Sequence, residues 1–130
     1  MTAGVLFLDK PVGWTSRKAV NVVVETLSEE GETLKAGHAG TLDPLASGML
    51  PILLGEATRF ADYGLSAAKI YRVCVDLSMQ TDTLDKEGRL AASFAPREDL
   101  SSAEIEQVLQ RFVGRIEQVP PAYSAVRIGG

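Results

Sequence analysis

The sequence has little of several residue types on which particular classes of protein depend. Its 130 residues include a single cysteine, Cys74, and a single histidine, His38. One cysteine excludes an internal disulfide, and one cysteine with one histidine excludes a Cys/His zinc cluster. The longest apolar runs, such as residues 49–54, are far too short to span a membrane. We therefore expect a cytoplasmic protein with no metal, no cofactor and no membrane association.

Positive charge is also scarce. Lysine and arginine total 13 against 17 aspartates and glutamates, which leaves a net charge of −4. That balance by itself argues against a nucleic-acid partner. Hydrophobic residues make up 45% of the chain, which is typical of a folded globular domain. Loops of the kind that bind nucleotide phosphates, and the nucleophile elbow of serine hydrolases, are missing from the sequence.

The hydrophobic pattern predicts an α/β (α+β) fold with a mixed, largely antiparallel sheet and flanking helices. Apolar runs at residues 4–8 and 49–54 predict buried strands, and strict alternation predicts a strand at residues 69–77. Residues 89–94 are expected to return as a hairpin partner, and residues 124–128 begin a further strand.

Three helices are predicted between these strands. Thr15 or Ser16 can cap the first, which ends near residues 28–31. Residues 56–63 form a short second helix that ends at Gly64. A capping box at residues 101–104 begins the third, which is closed by Gly114.

Residues 37–48 are poor material for regular structure, since they combine three glycines and a proline with small polar side chains. This loop contains His38 and Asp43, an imidazole and a carboxylate five positions apart. Asp43 before Pro44 is also typical of a helix N-cap. His38 could be a general base, a ring that stacks on a base or a hydrogen-bonded structural residue. The spacing alone leaves these alternatives open.

Other candidate groups are weaker. Asp82, Asp85 and Glu87 do not follow a calcium-loop pattern and fit a solvated hairpin loop better. Cys74 lies in an apolar alternation, which favours a packed thiol over a nucleophile. Tyr71, on the same predicted strand, is by default a core-facing aromatic.

The order of six segments is more specific than any one of them. The chain closely resembles the TruB family of tRNA pseudouridine synthases in DKPVGWTS at residues 9–16, GHAGTLDPLASG at 37–48, LGEATRF at 54–60, KIY at 69–71, QTDTLD at 80–85 with Gly88, and QVPPAYSA at 118–125. The resemblance covers essentially the whole chain.

This resemblance implies a function and a set of site residues. Asp43 matches the family's catalytic aspartate, which acts as the uracil is detached, rotated and rejoined to the ribose through carbon. Tyr71 matches the family's catalytic tyrosine, whose ring stacks on the uracil and whose hydroxyl is a candidate in proton transfer. His38 matches the histidine that fills the RNA loop when the target nucleotide is flipped out. Neither metal nor cofactor is implied.

The implied substrate is the T-loop uridine (position 55) in the T stem-loop of tRNA. On the central segment, Gly40, Thr41 and Leu42 are expected to contact the RNA. Lys10 is expected to shape the floor of the cleft, with direct RNA contact a less favoured role, and Arg59 could meet a phosphate.

In the family, the sequence continues beyond the segment around residues 126–128 into the rest of the catalytic domain and a PUA domain. We therefore expect residues 1–130 to be the N-terminal part of the catalytic domain. The net charge then reflects a chain without the family's more basic second half. An alternative is a weak or inactive fragment that binds structured RNA as a module or chaperone. Self-association through surface exposed by the truncation is also expected.

Overall fold

A computed structural model describes residues 3–29, 33–95, 97 and 99–119 of the protein. The chain divides into two units, Met1–Tyr71 and Arg72–Gly130. Each unit has its own antiparallel sheet, so the two are described in turn.

The first unit is built on a three-stranded sheet. Its strands are β1 (Gly4–Lys10), β2 (Ala36–His38) and β3 (Gly48–Leu54), in the spatial order β1-β3-β2. Both pairs are antiparallel, with Lys10 opposite Gly48 on one side of β3 and His38 opposite Ile52 on the other. Strand β2 was not predicted, because the loop assigned to residues 37–48 includes most of it.

One helix covers this sheet. Helix α1 (Ser16–Leu27) begins after Thr15, whose hydroxyl accepts a hydrogen bond from the Lys18 N–H at 3.0 Å. The predicted start and length of the helix are confirmed. Its apolar stripe forms a single buried cluster with alternate residues of β3, made of Ala19, Val20, Val23, Leu50, Ile52 and Leu54. Hydrophobic burial of this stripe therefore joins the helix to the central strand.

A short helical segment follows β3. It consists of a 3₁₀ turn, Gly55–Phe60, and helix α2, Ala61–Ser66. The prediction that the helix ends at Gly64 is wrong, since α2 continues through that residue. A Cβ built on Gly64 would lie 2.5 Å from the Cβ of Ala39, which is closer than real side chains approach. Glycine is required here by close packing and not by helix termination.

The second unit contains a hairpin and a helix. Strands β4 (Met79–Thr81) and β5 (Leu90–Ser93) pair antiparallel, which confirms the predicted hairpin return. Helix α3 (Ser102–Leu109) begins with the predicted capping box and continues into a 3₁₀ turn, Gln110–Phe112. None of the residues described in this unit is buried.

The strand predicted at residues 69–77 is not formed, and this prediction is wrong. Residues 69–77 have no regular secondary structure, and Tyr71, Val73 and Val75 are exposed. The alternation of apolar and polar residues indicates which side chains would share a face of a strand. A strand also needs a neighbouring strand to pair its backbone hydrogen bonds. Within the described part of the chain, this segment pairs with no strand. The strand predicted at 124–128 lies outside the described residues.

Antiparallel sheets with flanking helices confirm the predicted fold class. In the part of the chain that the structure describes, no helix is both long enough and apolar enough to cross a membrane.

Replacing Gly64 with alanine tests the close approach of α2 to Ala39. Alanine in a helix interior ordinarily stabilises by about 1 kcal/mol relative to glycine. Here we expect a lower thermal midpoint, because overpacking costs about 1–3 kcal/mol. Thermal unfolding of Gly64→Ala is compared with Gly4→Ala, where the added Cβ meets nothing within 4 Å. A raised midpoint for Gly64→Ala would contradict the packing.

The capping box of α3 predicts a pH dependence. The pKa of Glu104 is lowered, first by the Ser101 N–H, then by the Ser101 hydroxyl and the Arg97 guanidinium, all of which donate to its carboxylate. The stabilisation is therefore present above the ordinary glutamate pKa and is lost as pH falls through the lowered value. We expect the protection factors of the α3 amides, which correct for the intrinsic slowing of exchange in acid, to fall on acidification in the unmodified chain.

The variant Glu104→Gln should flatten this acid response of α3. The matched control is Glu106→Gln on the same helix, which should keep the response of the unmodified chain. Equal responses in the two variants would rule out the capping box as its source.

Candidate active site

The candidate residues of the central segment lie in the loop that joins β2 to β3. We call residues 39–47 the Asp43 loop. It begins with the Ala39 N–H donating to the Pro51 carbonyl at 2.9 Å, which extends the pairing of β2 with β3 by one bond. Gly40 follows with a φ of 151°, a region that side chains rarely allow, and is buried. Both ends of the loop are therefore attached to the sheet.

Asp43 occupies the first position of a tight turn. Its carbonyl accepts a hydrogen bond from the Ala46 N–H at 3.0 Å, and Pro44 and Leu45 form the corner. Aspartate followed by proline suits these positions, because proline sets the backbone angle that the corner requires. No helix starts here, so the N-cap alternative for Asp43 is wrong. The turn leaves Asp43 exposed to solvent.

Two contacts from the segment after β1 hold the loop on either side of Asp43. The Ser16 hydroxyl accepts from the Leu42 N–H at 2.9 Å and donates to the Leu42 carbonyl at 3.0 Å. The Gly13 N–H donates to the Pro44 carbonyl at 2.7 Å. The first resemblance segment thus packs directly on the central one, with Asp43 between the two contacts.

Lys10 organises the turn from which these contacts come. The side chain is fully buried at the end of β1, and its Nζ donates to the carbonyls of Trp14 at 2.6 Å and Pro11 at 3.1 Å. A buried ammonium needs such partners, since its desolvation is costly. This placement favours the floor-shaping role of Lys10 over contact with RNA.

The contact of Ser16 with the Asp43 loop is the feature of this site that reasoning from sequence missed. The pattern offered Thr15 or Ser16 as the cap of α1, and the structure uses Thr15. A helix start needs one side-chain cap, so a second adjacent hydroxyl was available for another contact. Two adjacent hydroxyl residues at the predicted helix start were therefore the sequence signal for this contact.

The remaining residues of the central segment differ in exposure. Thr41 is exposed, whereas Leu42 is half-buried and packs against the core cluster. His38 is half-buried at the end of β2, and its Nδ1 is buried with no hydrogen-bond partner among the described residues.

Arg59 lies on the 3₁₀ turn after β3. Its Nε is 3.1 Å from a carboxylate oxygen of Glu56, and both side chains are largely exposed. Exposed pairs of this kind contribute only about 0–1 kcal/mol, so the guanidinium can exchange this partner for another anion.

Tyr71 is the last residue of the first unit and lies outside regular structure. It is 62% exposed, which contradicts the default expectation of a core-facing ring. Among the described residues, no hydrogen bond joins Tyr71 to the Asp43 loop. Two residues earlier, the Lys69 Nζ donates to the carbonyls of Gly64, Leu65 and Ala67 at the end of α2. The chain is therefore anchored just before Tyr71.

The acidic loop of the second unit satisfies its own carboxylates. The Thr83 hydroxyl and the Glu87 N–H both donate to Asp85 and lower the pKa of its carboxyl. Asp82 accepts from the Arg89 N–H at 2.8 Å. Across the described ranges, no group of three or more acidic, histidine or cysteine side chains could hold a metal ion. Cys74 is exposed, so the expectation of a packed thiol is wrong.

Comparison with known proteins identifies the family. Residues 27–130 match the profile described as TruB family pseudouridylate synthase (N terminal domain). The chain belongs to this family. The resemblance read from the six segments is thereby confirmed.

Curated relatives are similar over almost the entire chain. Proteins named tRNA pseudouridine synthase B are 50% identical over 127 residues in Nitrobacter winogradskyi, 45% over 129 in Psychrobacter cryohalolentis and 44% over 128 in Zymomonas mobilis. Each alignment covers 98% of this chain but only 34%, 36% and 42% of the respective relative. The chain thus spans about two-fifths or less of the length of these relatives.

Replacing Gly40 with alanine tests the backbone conformation at the start of the Asp43 loop. The φ of 151° is strained for a residue with a side chain, although the nearest atom to an added Cβ, the Cε of Lys69, is 3.9 Å away. We expect Gly40→Ala to lower the stability of the first unit by about 1–3 kcal/mol from strain alone.

Chemical denaturation measures this loss. The control Gly37→Ala adds a methyl group in open space at an ordinary φ and should change stability much less. Equal stabilities of the two variants would show that the conformation at Gly40 carries no cost.

Proposed function

We propose that the chain is the N-terminal part of the catalytic domain of a tRNA pseudouridine synthase, with Asp43 as the catalytic carboxylate. The observation that carries the proposal is the placement of Asp43. Asp43 is exposed at the first position of a turn, while both neighbouring residues are hydrogen-bonded to the segment after β1. The names of the curated relatives support the choice of tRNA as the substrate.

The reaction needs little from the protein beyond a positioned carboxylate. The bond from uracil N1 to the ribose breaks, the base rotates, and C5 joins the ribose while its proton is released to water. N1 gains a proton, so the product is an isomer of the substrate. A carboxylate can attack covalently or stabilise a cationic sugar, and neither role requires a metal or redox cofactor.

The target is the T-loop uridine (position 55) of tRNA, which must leave the stack to reach Asp43. Flipping a base costs a few kcal/mol. Stacking on the exposed ring of Tyr71 and insertion of His38 into the vacated space offset part of that cost. Gly40, Thr41 and Leu42 line the approach to Asp43, and Arg59 contacts a phosphate. Lys10 does not contact the RNA but holds the turn after β1, which in turn supports the Asp43 loop.

Substitution of Asp43 by asparagine tests the assignment. Asparagine keeps the shape of the side chain but carries no charge, so the turn should remain intact. We expect single-turnover release of tritium from a T stem-loop RNA labelled at uridine C5 to fall by at least ~10³-fold. Binding of the RNA, measured by gel shift, should change little.

The matched control is Glu25→Gln, which removes one negative charge from an exposed position on α1. It should release tritium at the rate of the unmodified chain. Undiminished turnover by Asp43→Asn would overturn the catalytic assignment. RNA binding without turnover by the unmodified chain would instead indicate a binding module. If the unmodified chain neither binds the RNA at low salt nor releases tritium, both the enzyme and the binding module are excluded.

A further inference from the structure

Ser16 is the most deeply placed polar side chain that contacts the Asp43 loop. We propose that Ser16 is a positioning residue for Asp43, and that its hydroxyl fixes the loop backbone from which the carboxylate projects. The inference rests on the proposed function, because it assumes that Asp43 acts on the substrate.

The contact between Ser16 and Leu42 is unusual in using one atom twice. Ser16 is 5% exposed, and its Oγ both accepts from the Leu42 N–H and donates to the Leu42 carbonyl. Both backbone groups belong to a loop residue without a partner strand, and buried backbone groups need partners. Among the small side chains, a hydroxyl supplies a good donor and a good acceptor at a single atom, whereas a thiol supplies only weak ones. Alanine at this position would leave both groups of Leu42 unsatisfied.

The other side of Asp43 is held without any side chain. The Gly13 N–H donates to the Pro44 carbonyl at 2.7 Å, and Pro44 restricts the backbone of the residue before it. The Ala46 N–H closes the turn on the Asp43 carbonyl. Neither of these contacts uses the Ser16 side chain. Removing the hydroxyl therefore frees one side of Asp43 only, which is a displacement and not an unfolding.

Helix α1 does not need the Ser16 hydroxyl for its own stability. Thr15 caps the helix through the Lys18 N–H, and the buried stripe of α1 is made of alanine and valine side chains. Ser16 instead connects the loop to a rigid helix start. A displacement of about 1 Å at a reacting group can cost ~10²-fold in rate. The effect of losing this contact should thus appear in the chemical step more than in folding.

The experiment compares Ser16→Ala with Thr15→Ala in the same chain. For Ser16→Ala we expect the single-turnover rate of tritium release to fall ~10- to 100-fold, with the Kd for the T stem-loop RNA within ~3-fold of the unmodified chain. Thr15→Ala removes the adjacent hydroxyl and the helix cap. It should lower the thermal midpoint while its rate at a temperature well below that midpoint stays within ~3-fold.

Amide hydrogen exchange gives a readout that does not depend on turnover. In Ser16→Ala, the Leu42 amide should exchange faster, while the Ala46 amide and the core amides of β3 keep their protection. In Thr15→Ala, the two loop amides should exchange as in the unmodified chain. If Ser16→Ala does not fold, Ser16→Cys fills the same space with a weaker hydrogen-bonding group and should show the same separation of rate from Kd.

Three results would overturn the proposal. The first is a normal rate in Ser16→Ala, and the second is a fall in rate that only matches the fall in Thr15→Ala. The third is unchanged exchange at the Leu42 amide. If the unmodified chain releases no tritium, the proposed function fails by itself. The exchange of the Leu42 amide then still decides whether Ser16 holds the Asp43 loop.

Discussion

The central strand β3 is the constraint on which the rest of the first unit depends. It pairs with β1 along its full length and with β2 at one end, and its alternate side chains form the buried cluster with α1. The Asp43 loop leaves β2 and returns at the start of β3, so the same strand sets where the loop ends. Because β1 runs antiparallel to β3, the segment after β1 emerges beside the start of β3. That geometry brings two motifs, separated by twenty residues of sequence, into contact.

The hydrophobic core sets the approximate position of the helix and strands, and polar contacts then fix the backbone of the turns and loops between them. A hydrophobic cluster holds α1 on the sheet but is non-directional. Hydrogen bonds are directional. Lys10, Gly13 and Ser16 donate to backbone carbonyls of turns and loops, and Ser16 also accepts from a loop N–H. They hold irregular backbone that has no strand-to-strand hydrogen bonds of its own. An exposed carboxylate on an otherwise tethered turn is consistent with a group that must meet a large substrate from solvent.

The predictions from sequence succeeded where the information is local. Three such predictions are confirmed: the start of α1, the capping box of α3 and the strand β3. Each depends only on residues that are close together in the sequence. The strand at residues 69–77 failed because alternation does not state which neighbour supplies the hydrogen bonds. The prediction that a helix ends at Gly64 failed for a related reason. The contact that requires glycine there is with Ala39, in a distant part of the chain, and the local pattern does not contain it.

The sequence by itself determined the family, through six segments in a fixed order, and it singled out Asp43, His38 and Tyr71 as the chemical candidates. Net charge argued against the RNA partner that the proposed function requires, but a whole-chain sum carries no information about one loop. Only the tertiary structure decided that Asp43 sits at a turn and not at a helix cap, that Lys10 is buried, and that Ser16 holds the loop through Leu42. The physical reason is that residue types report which bonds a side chain can make. Which bonds it does make depends on the partners that chain folding brings within about 3 Å.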